Sequence, residues 1–242
     1  MTQRYTLIDW LRCFAIILMI VYHFLWDLKE VGLISREFFY SFPIRFVGRT
    51  CLLTFLFCVG YSLSLAHDSG INWPVFFKRW LKLLLAALTI SVLTYLIYPK
   101  QWVYFGILHH ITVMSLLLLV FLRFKIFALA IGLYILIPYW LDGMGYCGIV
   151  PEIIYPWLNR CHFPTLFLFA PTMDYIDLTP WSGASLIGLG LSHFKLHEKL
   201  RLPHLKFVES LSRYSFEIYL IHQPVLLAIT FVLAYVLNSF IR

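Results

Sequence analysis

Charge is what this sequence has least of. Asp, Glu, Lys and Arg make up 13% of its 242 residues, while 61% are hydrophobic and 19% aromatic; a soluble domain is roughly one quarter charged and half apolar. So few charges cannot cover a water-exposed surface. An ordinary soluble fold is excluded and an integral membrane protein in a lipid bilayer is expected. A complete disulfide framework is also missing, because five cysteines cannot all pair. No CxxC or Cys/His cluster has zinc spacing, so no metal is expected. The Walker loop, GxSxG and HExxH are absent, which removes the support a soluble-type ATPase, serine hydrolase or zinc protease would need. There is no internal repeat, low-complexity tract or soluble domain.

The few charges are unbalanced, with a formal net charge of +7. Nucleic-acid binding would require basic residues clustered on a solvated domain, whereas here they stand in short breaks between apolar runs. They read as positive loops at lipid headgroups, and no nucleic-acid partner is expected.

Runs long enough to cross a bilayer occur at Leu7 to Leu28, Phe46 to Ala66, Val75 to Tyr98, Val103 to Phe121 and Tyr214 to Ile241. Shorter or broken ones lie at Ile126 to Trp140 and Pro180 to Phe194. The fold expected is all-α, a polytopic transmembrane helical bundle of about seven helices forming a single domain over residues 1–242. The first run is too long for a signal-peptide core and lacks a small-residue cleavage site, so it is expected to remain in the mature chain. With the N-terminus cytoplasmic and the C-terminus outside, eleven basic residues, among them Lys78, Arg79, Lys82, Arg123 and Lys125, fall on the inner side, against six outside. That bias favours this orientation, in an inner (plasma) membrane.

The first helix carries a polar stripe. Arg12 and His23 are eleven positions apart and therefore only about 20° apart around a helix. Asp9 and Asp27 fall on the same side, with Ile16, Met19 and Ile20 between the two polar ends. Snorkelling into headgroups would explain the depth of these residues but needs no shared face. His23 with Asp27 one turn on is a base with an orienting carboxylate, and this pair is the candidate catalytic couple. Arg12 lies about 16 Å deeper at 1.5 Å per residue, a separation of the order of a pantetheine arm, and its guanidinium suits a phosphate.

Other polar groups sit in apolar surroundings. His109 and His110 in "FGILHHI" point about 100° apart, so at most one can face a site shared with His23. Tyr219 and His222 lie with Ser215 on one face of "YSFEIYLIHQP", beside Pro224. Asp174 and Asp177 stand in a proline-punctuated outer segment, where loop backbone at membrane depth must rest against protein or water. His109, Asp174, Tyr219 and His222 are the candidate substrate-binding residues. Lys78, Arg79 and Lys82 mark the inner end of the third run, as headgroup anchors or as a grip on nucleotide phosphates. Cys147 and Cys161 share the long outer loop, and a disulfide between them is expected if that side is oxidising.

Four segments together resemble the heparan-α-glucosaminide N-acetyltransferase-like membrane family, within the wider transmembrane acyltransferases. They are "IDWLRCFAIILMIVYHFLWDL", with the family's arginine, ten residues and histidine at Arg12 and His23; "FGILHHI"; "MDYIDLTPWSGASLIGLGL"; and "LSRYSFEIYLIHQPVLL". They occur in the family's order over nearly the whole chain. Cys13 departs from the pattern, which has glycine after the arginine. The resemblance implies acetyl-CoA as co-substrate and an amino-sugar or envelope glycan acceptor across the membrane. N- and O-acetylation both remain open, as does a homo-oligomer. Joined to the stripe, it implies an acyl-CoA tunnel, with Arg12 at the CoA end and the thioester reaching His23. There His23 acts as general base or as an acylated nucleophile. His23, Asp27, His109 and Asp174 are then expected to converge on the outer side. A proton-coupled small-molecule transporter is the alternative reading, since intramembrane histidines and acids also mark proton relays, and a non-catalytic scaffold is the third.

Overall fold

The computed structural model describes residues 5–143, 171–200 and 202–241. Cys147 and Cys161 lie outside the described residues. The protein is an all-α helical bundle, and its described helices are α1 (Thr6–Glu30), α2 (Arg36–Phe39), α3 (Phe42–Ala66), α4 (Trp73–Ile97), α5 (Ile107–Phe121), α6 (Lys125–Gly143), α7 (Ser182–Leu191), α8 (Leu196–Lys199), α9 (Lys206–Arg213) and α10 (Ser215–Ile241). Four of them, α1, α3, α4 and α10, are long and apolar enough to cross a membrane, and α5 and α6 hold shorter apolar stretches. Each of the seven expected runs contains a helix. The chain clusters into two compact units, Met1–Phe55 with His197–Arg242 and Leu56–Leu196, so the division falls inside α3.

In the first unit α1 packs against α9 and α10. Its inward face is the one the spacing predicts: Ala15, Ile16, Met19 and Asp27 are buried, while Phe14, Ile17 and Val21 on the opposite side are close to half exposed. The acid in its first turn, Asp9, and the base in its last, Lys29, complement the helix dipole. Lys29 also lies 3.5 Å over the Trp26 ring.

In the second unit α4 begins at Asn72, whose side chain accepts from the Val75 N–H at 3.3 Å, one of the donors a helix start leaves unpaired. Its Leu85, Leu88, Val92 and Leu96 are exposed while Ala86, Ala87 and Ser91 are buried, as for a helix with one face on lipid. The helix α7 packs through small residues. A Cβ added at Gly60 would strike the Ser185 carbonyl, and one at Gly188 the Phe57 carbonyl. Backbones in hydrocarbon approach this closely only through such residues, because dispersion contact rather than water exclusion holds them together.

The fourth span starts later than its hydropathy suggests, at Ile107 and not Val103. The intervening backbone is occupied elsewhere. The Met173 N–H donates to the Gln101 carbonyl at 3.0 Å, the Ile176 N–H to Phe105 at 3.1 Å, and Phe105 forms a parallel bridge with Tyr175. The acidic segment around Asp174 is thus extended chain that bonds its backbone to residues Gln101 and Phe105, as loop structure in an apolar setting requires.

Candidate functional site

The polar stripe on α1 is buried at both ends. Asp9, 8% exposed, accepts from the Ser212 hydroxyl at 2.5 Å, and Asp27 is 1% exposed. Neither carboxylate therefore reaches headgroups by snorkelling. Arg12 is partly buried on the same face, about 16 Å along the axis from His23 by helical rise.

His23 Nδ1 lies 2.9 Å from the Met19 carbonyl oxygen. A carbonyl only accepts, so Nδ1 carries the proton and the Nε2 lone pair is left available. Here the structure differs from the sequence-based expectation, since the backbone of the preceding turn and not Asp27 orients the ring. Helical side chains lean toward the N-terminus, which lays the His23 ring over the preceding turn, within reach of the Met19 carbonyl.

Across from His23 stands His222 on α10. The two rings meet edge to face with centroids 4.8 Å apart. His222 Nδ1 donates to the Tyr219 carbonyl at 2.6 Å, and the Tyr219 ring lies 5.6 Å from the His222 ring. Pro224 follows closely in the same helix. It lacks the N–H that would close on the carbonyl four residues earlier, which loosens the backbone ladder here. The next residue after His222 is one that sequence reasoning passed over. Gln223 donates from Nε2 to Asp27 Oδ1 at 2.7 Å.

Among the described residues, three buried side-chain atoms of this group have no hydrogen-bond partner: Asp27 Oδ2, His222 Nε2 and Gln223 Oε1. All three can accept, because a carboxyl oxygen, the Nε2 of a ring that carries its proton on Nδ1 and an amide oxygen each offer a lone pair. Buried acceptors without donors are strongly unfavourable. What completes the group brings N–H or O–H bonds, as water, an amine or a hydroxyl does.

The second unit holds His109, Asp174, Lys78, Arg79 and Lys82. His109 Nδ1 accepts from the Gly106 N–H at 3.2 Å, and His109 Nε2 lies 3.1 Å from the Ser91 hydroxyl oxygen. That hydroxyl donates to the Val103 carbonyl at 2.7 Å, so Nε2–H is the donor to Ser91. Both ring nitrogens of His109 are engaged in shaping the start of α5. His110 turns away, with Nδ1 3.0 Å from the Asp177 carbonyl oxygen and Nε2 buried without a partner. The two adjacent rings thus point apart. The Asp174 carboxylate lies against Gly106, where any Cβ would meet its Oδ2. Lys78, Arg79 and Lys82 are exposed near the N-terminal end of α4. Their neighbour His67 has its pKa lowered, first by burial and then by the charge of Arg79. Cys13 and Cys58 are buried, and the Cys51 thiol donates to the Ala15 carbonyl at 3.3 Å.

No signal in the sequence singled out Gln223, because an amide in a helix facing an unknown neighbour reads as any polar residue. Its proximity to a buried acid is the informative fact, and only packing of α10 on α1 supplies it.

No curated protein and no solved structure matches the chain. Residues 4–224 match the family described as heparan-alpha-glucosaminide N-acetyltransferase, catalytic. That match runs through both units and takes in all four segments that carry the resemblance, up to Pro224. The chain is a member of the heparan-alpha-glucosaminide N-acetyltransferase catalytic family, and so a membrane acetyltransferase.

Proposed function

We propose that this protein moves an acetyl group from cytoplasmic acetyl-CoA to an amino-sugar or envelope glycan on the outer side of the membrane, with residues 1–242 acting as one acyltransferase domain. The observation that carries this reading is the buried group on α1 and α10, in which His23 faces His222 and Asp27 is held by Gln223, with three acceptor atoms left for an incoming donor. An attacking amine or hydroxyl has the hydrogens that such a group lacks.

In the reaction, the nitrogen or oxygen of the acceptor forms a bond to the thioester carbonyl carbon. His23 Nε2 takes the proton from that atom, the carbon–sulfur bond breaks, and CoA leaves as a thiolate that recovers the proton. The bond from Nδ1 to the Met19 carbonyl supports this role, because it fixes the tautomer with its lone pair on Nε2. Asp27 and His222 hold the acceptor's hydrogens. Tyr219 shapes the wall beside His222.

Arg12 grips a phosphate of the donor, and the buried apolar strip of Ile16 and Met19 flanks the pantetheine arm on its way to His23. In the second unit, exposed Lys78, Arg79 and Lys82 are proposed as further cations for donor phosphates, and Asp174 as a carboxylate for acceptor hydroxyls. The excess of basic residues at one set of helix ends supports a cytoplasmic N-terminus in an inner membrane.

The test uses purified protein in sealed proteoliposomes of known orientation. Acetyl-CoA supplied to the face bearing Lys78 should transfer labelled acetyl to glucosamine on the other face, releasing one free thiol per acetyl moved. Transfer only when donor and acceptor share a side would overturn the crossing, and release of thiol without acetylated glucosamine would overturn this acceptor.

A further inference from the structure

Asp27 is almost fully buried, yet no side chain of its own helix is described as hydrogen-bonded to its carboxylate: the His23 ring is turned to the Met19 carbonyl. The described bond that orients it is the one from Gln223 Nε2 to Oδ1, at 2.7 Å. An aspartate has two rotatable side-chain bonds, so without that donor the carboxylate is free to swing away from the direction in which Oδ2 now points. We propose that Gln223 is a positioning residue that acts through Asp27, holding one carboxylate oxygen so that the other faces the acceptor substrate.

The chemistry of the position favours glutamine. Its amide can donate to Asp27 and still present Oε1, which is buried and unpartnered. A glutamate would set a second negative charge beside a buried carboxylate, and an apolar side chain would leave Oδ1 without a donor in apolar surroundings. Placement is also constrained from behind. Gln223 lies within α10, and a helical backbone sets the direction of its Cα–Cβ bond before any contact is made. Gln223 reaches Asp27 from a residue 196 positions away in sequence; the contact exists only because α10 lies on α1.

This inference rests on the proposed acetyl transfer at the His23 group. The experiment is a double-mutant cycle on the full-length protein in detergent or nanodiscs, with acetyl-CoA as donor, glucosamine as acceptor and thiol release as readout. Gln223→Met, Asp27→Ala and the double variant are compared with wild type. Gln223→Met should lower kcat/KM for glucosamine by about tenfold or more, within the range of coupling energies found for contacting pairs, while acetyl-CoA affinity stays within about twofold. In the Asp27→Ala background the same substitution should cost less than about threefold, because there is no carboxylate left to hold.

Gln223→Glu keeps the length of the side chain and should be impaired at least as strongly as Gln223→Met. It carries the test if the methionine variant loses acetyl-CoA binding and so has not folded. Wild-type turnover in either single Gln223 variant overturns the proposal. So does a loss from Gln223 that is undiminished when Asp27 is alanine, which marks a role in packing or one independent of the acid. Wild-type protein that binds acetyl-CoA but never acetylates glucosamine overturns the reading of the site, and this inference with it.

Discussion

Two histidine-bearing regions of this protein treat the same physical difficulty in opposite ways. In the second unit both nitrogens of His109 are bonded within the fold, one to Gly106 and the other to Ser91, whose hydroxyl continues to Val103. In the first unit His222, Asp27 and Gln223 each retain a buried acceptor without a donor. A satisfied ring in an apolar setting stabilises the local chain. A group of unsatisfied ones, each unfavourable by about 1–3 kcal/mol, persists only where something else completes it. His67 Nδ1 and His110 Nε2 in the second unit are also buried and unpartnered, but no described hydrogen bond links the two side chains, as one links Asp27 to Gln223. What distinguishes the first unit is the grouping of like atoms and not the presence of a lone orphan.

The sharpest way to break this contrast is to remove the reacting group. His23→Ala should leave a folded protein that still binds acetyl-CoA but transfers acetyl roughly 1,000-fold more slowly, within the span general-base loss produces. Binding by calorimetry beside turnover by thiol release checks it. Near-normal turnover would remove His23 from the chemistry. His109→Ala should do the reverse, lowering stability by about 1–3 kcal/mol with a small effect on turnover of the protein that remains folded.

Packing in the second unit gives the next effect. Gly188→Ala forces a Cβ against the Phe57 carbonyl, and overpacking of this kind is destabilising by about 1–3 kcal/mol or more. Thermal unfolding in detergent should show a clear drop, whereas alanine at Gly32, which has open space around it but a positive φ of 78°, should show only a modest one. Equal drops would mean that α7 is not held by close backbone approach.

A smaller effect is expected at Arg12. Arg12→Ala should weaken acetyl-CoA by about tenfold, the size of one charge-assisted contact, and should weaken pantetheine thioesters without phosphates much less. A competition series of CoA fragments reads this directly. Uniform weakening would place Arg12 in helix packing.

The smallest concerns His67, outside the spans. Burial and Arg79 lower its pKa in the folded state, so below its ordinary value near 6.5 the unfolded chain binds more protons than the native one. Stability should therefore fall as pH drops from that value toward the lowered folded one, and be fully present above it. His67→Asn should flatten this slope in pH-dependent unfolding curves. An unchanged slope would assign it to other groups.

Much of the site could be read along the first helix alone, because Asp9, Arg12, His23 and Asp27 share an azimuth fixed by 3.6 residues per turn. The late start of α5 was hidden, since hydropathy registers Val103 to Phe105 as apolar and says nothing of their pairing with residues near Tyr175. The bond of His23 to Met19 was hidden as well, because helical spacing places both Met19 and Asp27 one turn away and does not say which of them the ring will bond.

By itself the sequence determined the membrane class, the seven apolar runs, the inward face of α1 and the family. Those follow from composition, period and the order of short motifs, which are properties of neighbours along the chain. Only the tertiary structure decided which polar atoms are satisfied. Gln223 and Asp27 are 196 residues apart, and His23 meets His222 across two helices. Whether a buried oxygen or nitrogen has a partner depends on what another segment brings within about 3 Å, and helical periodicity carries no information at that range.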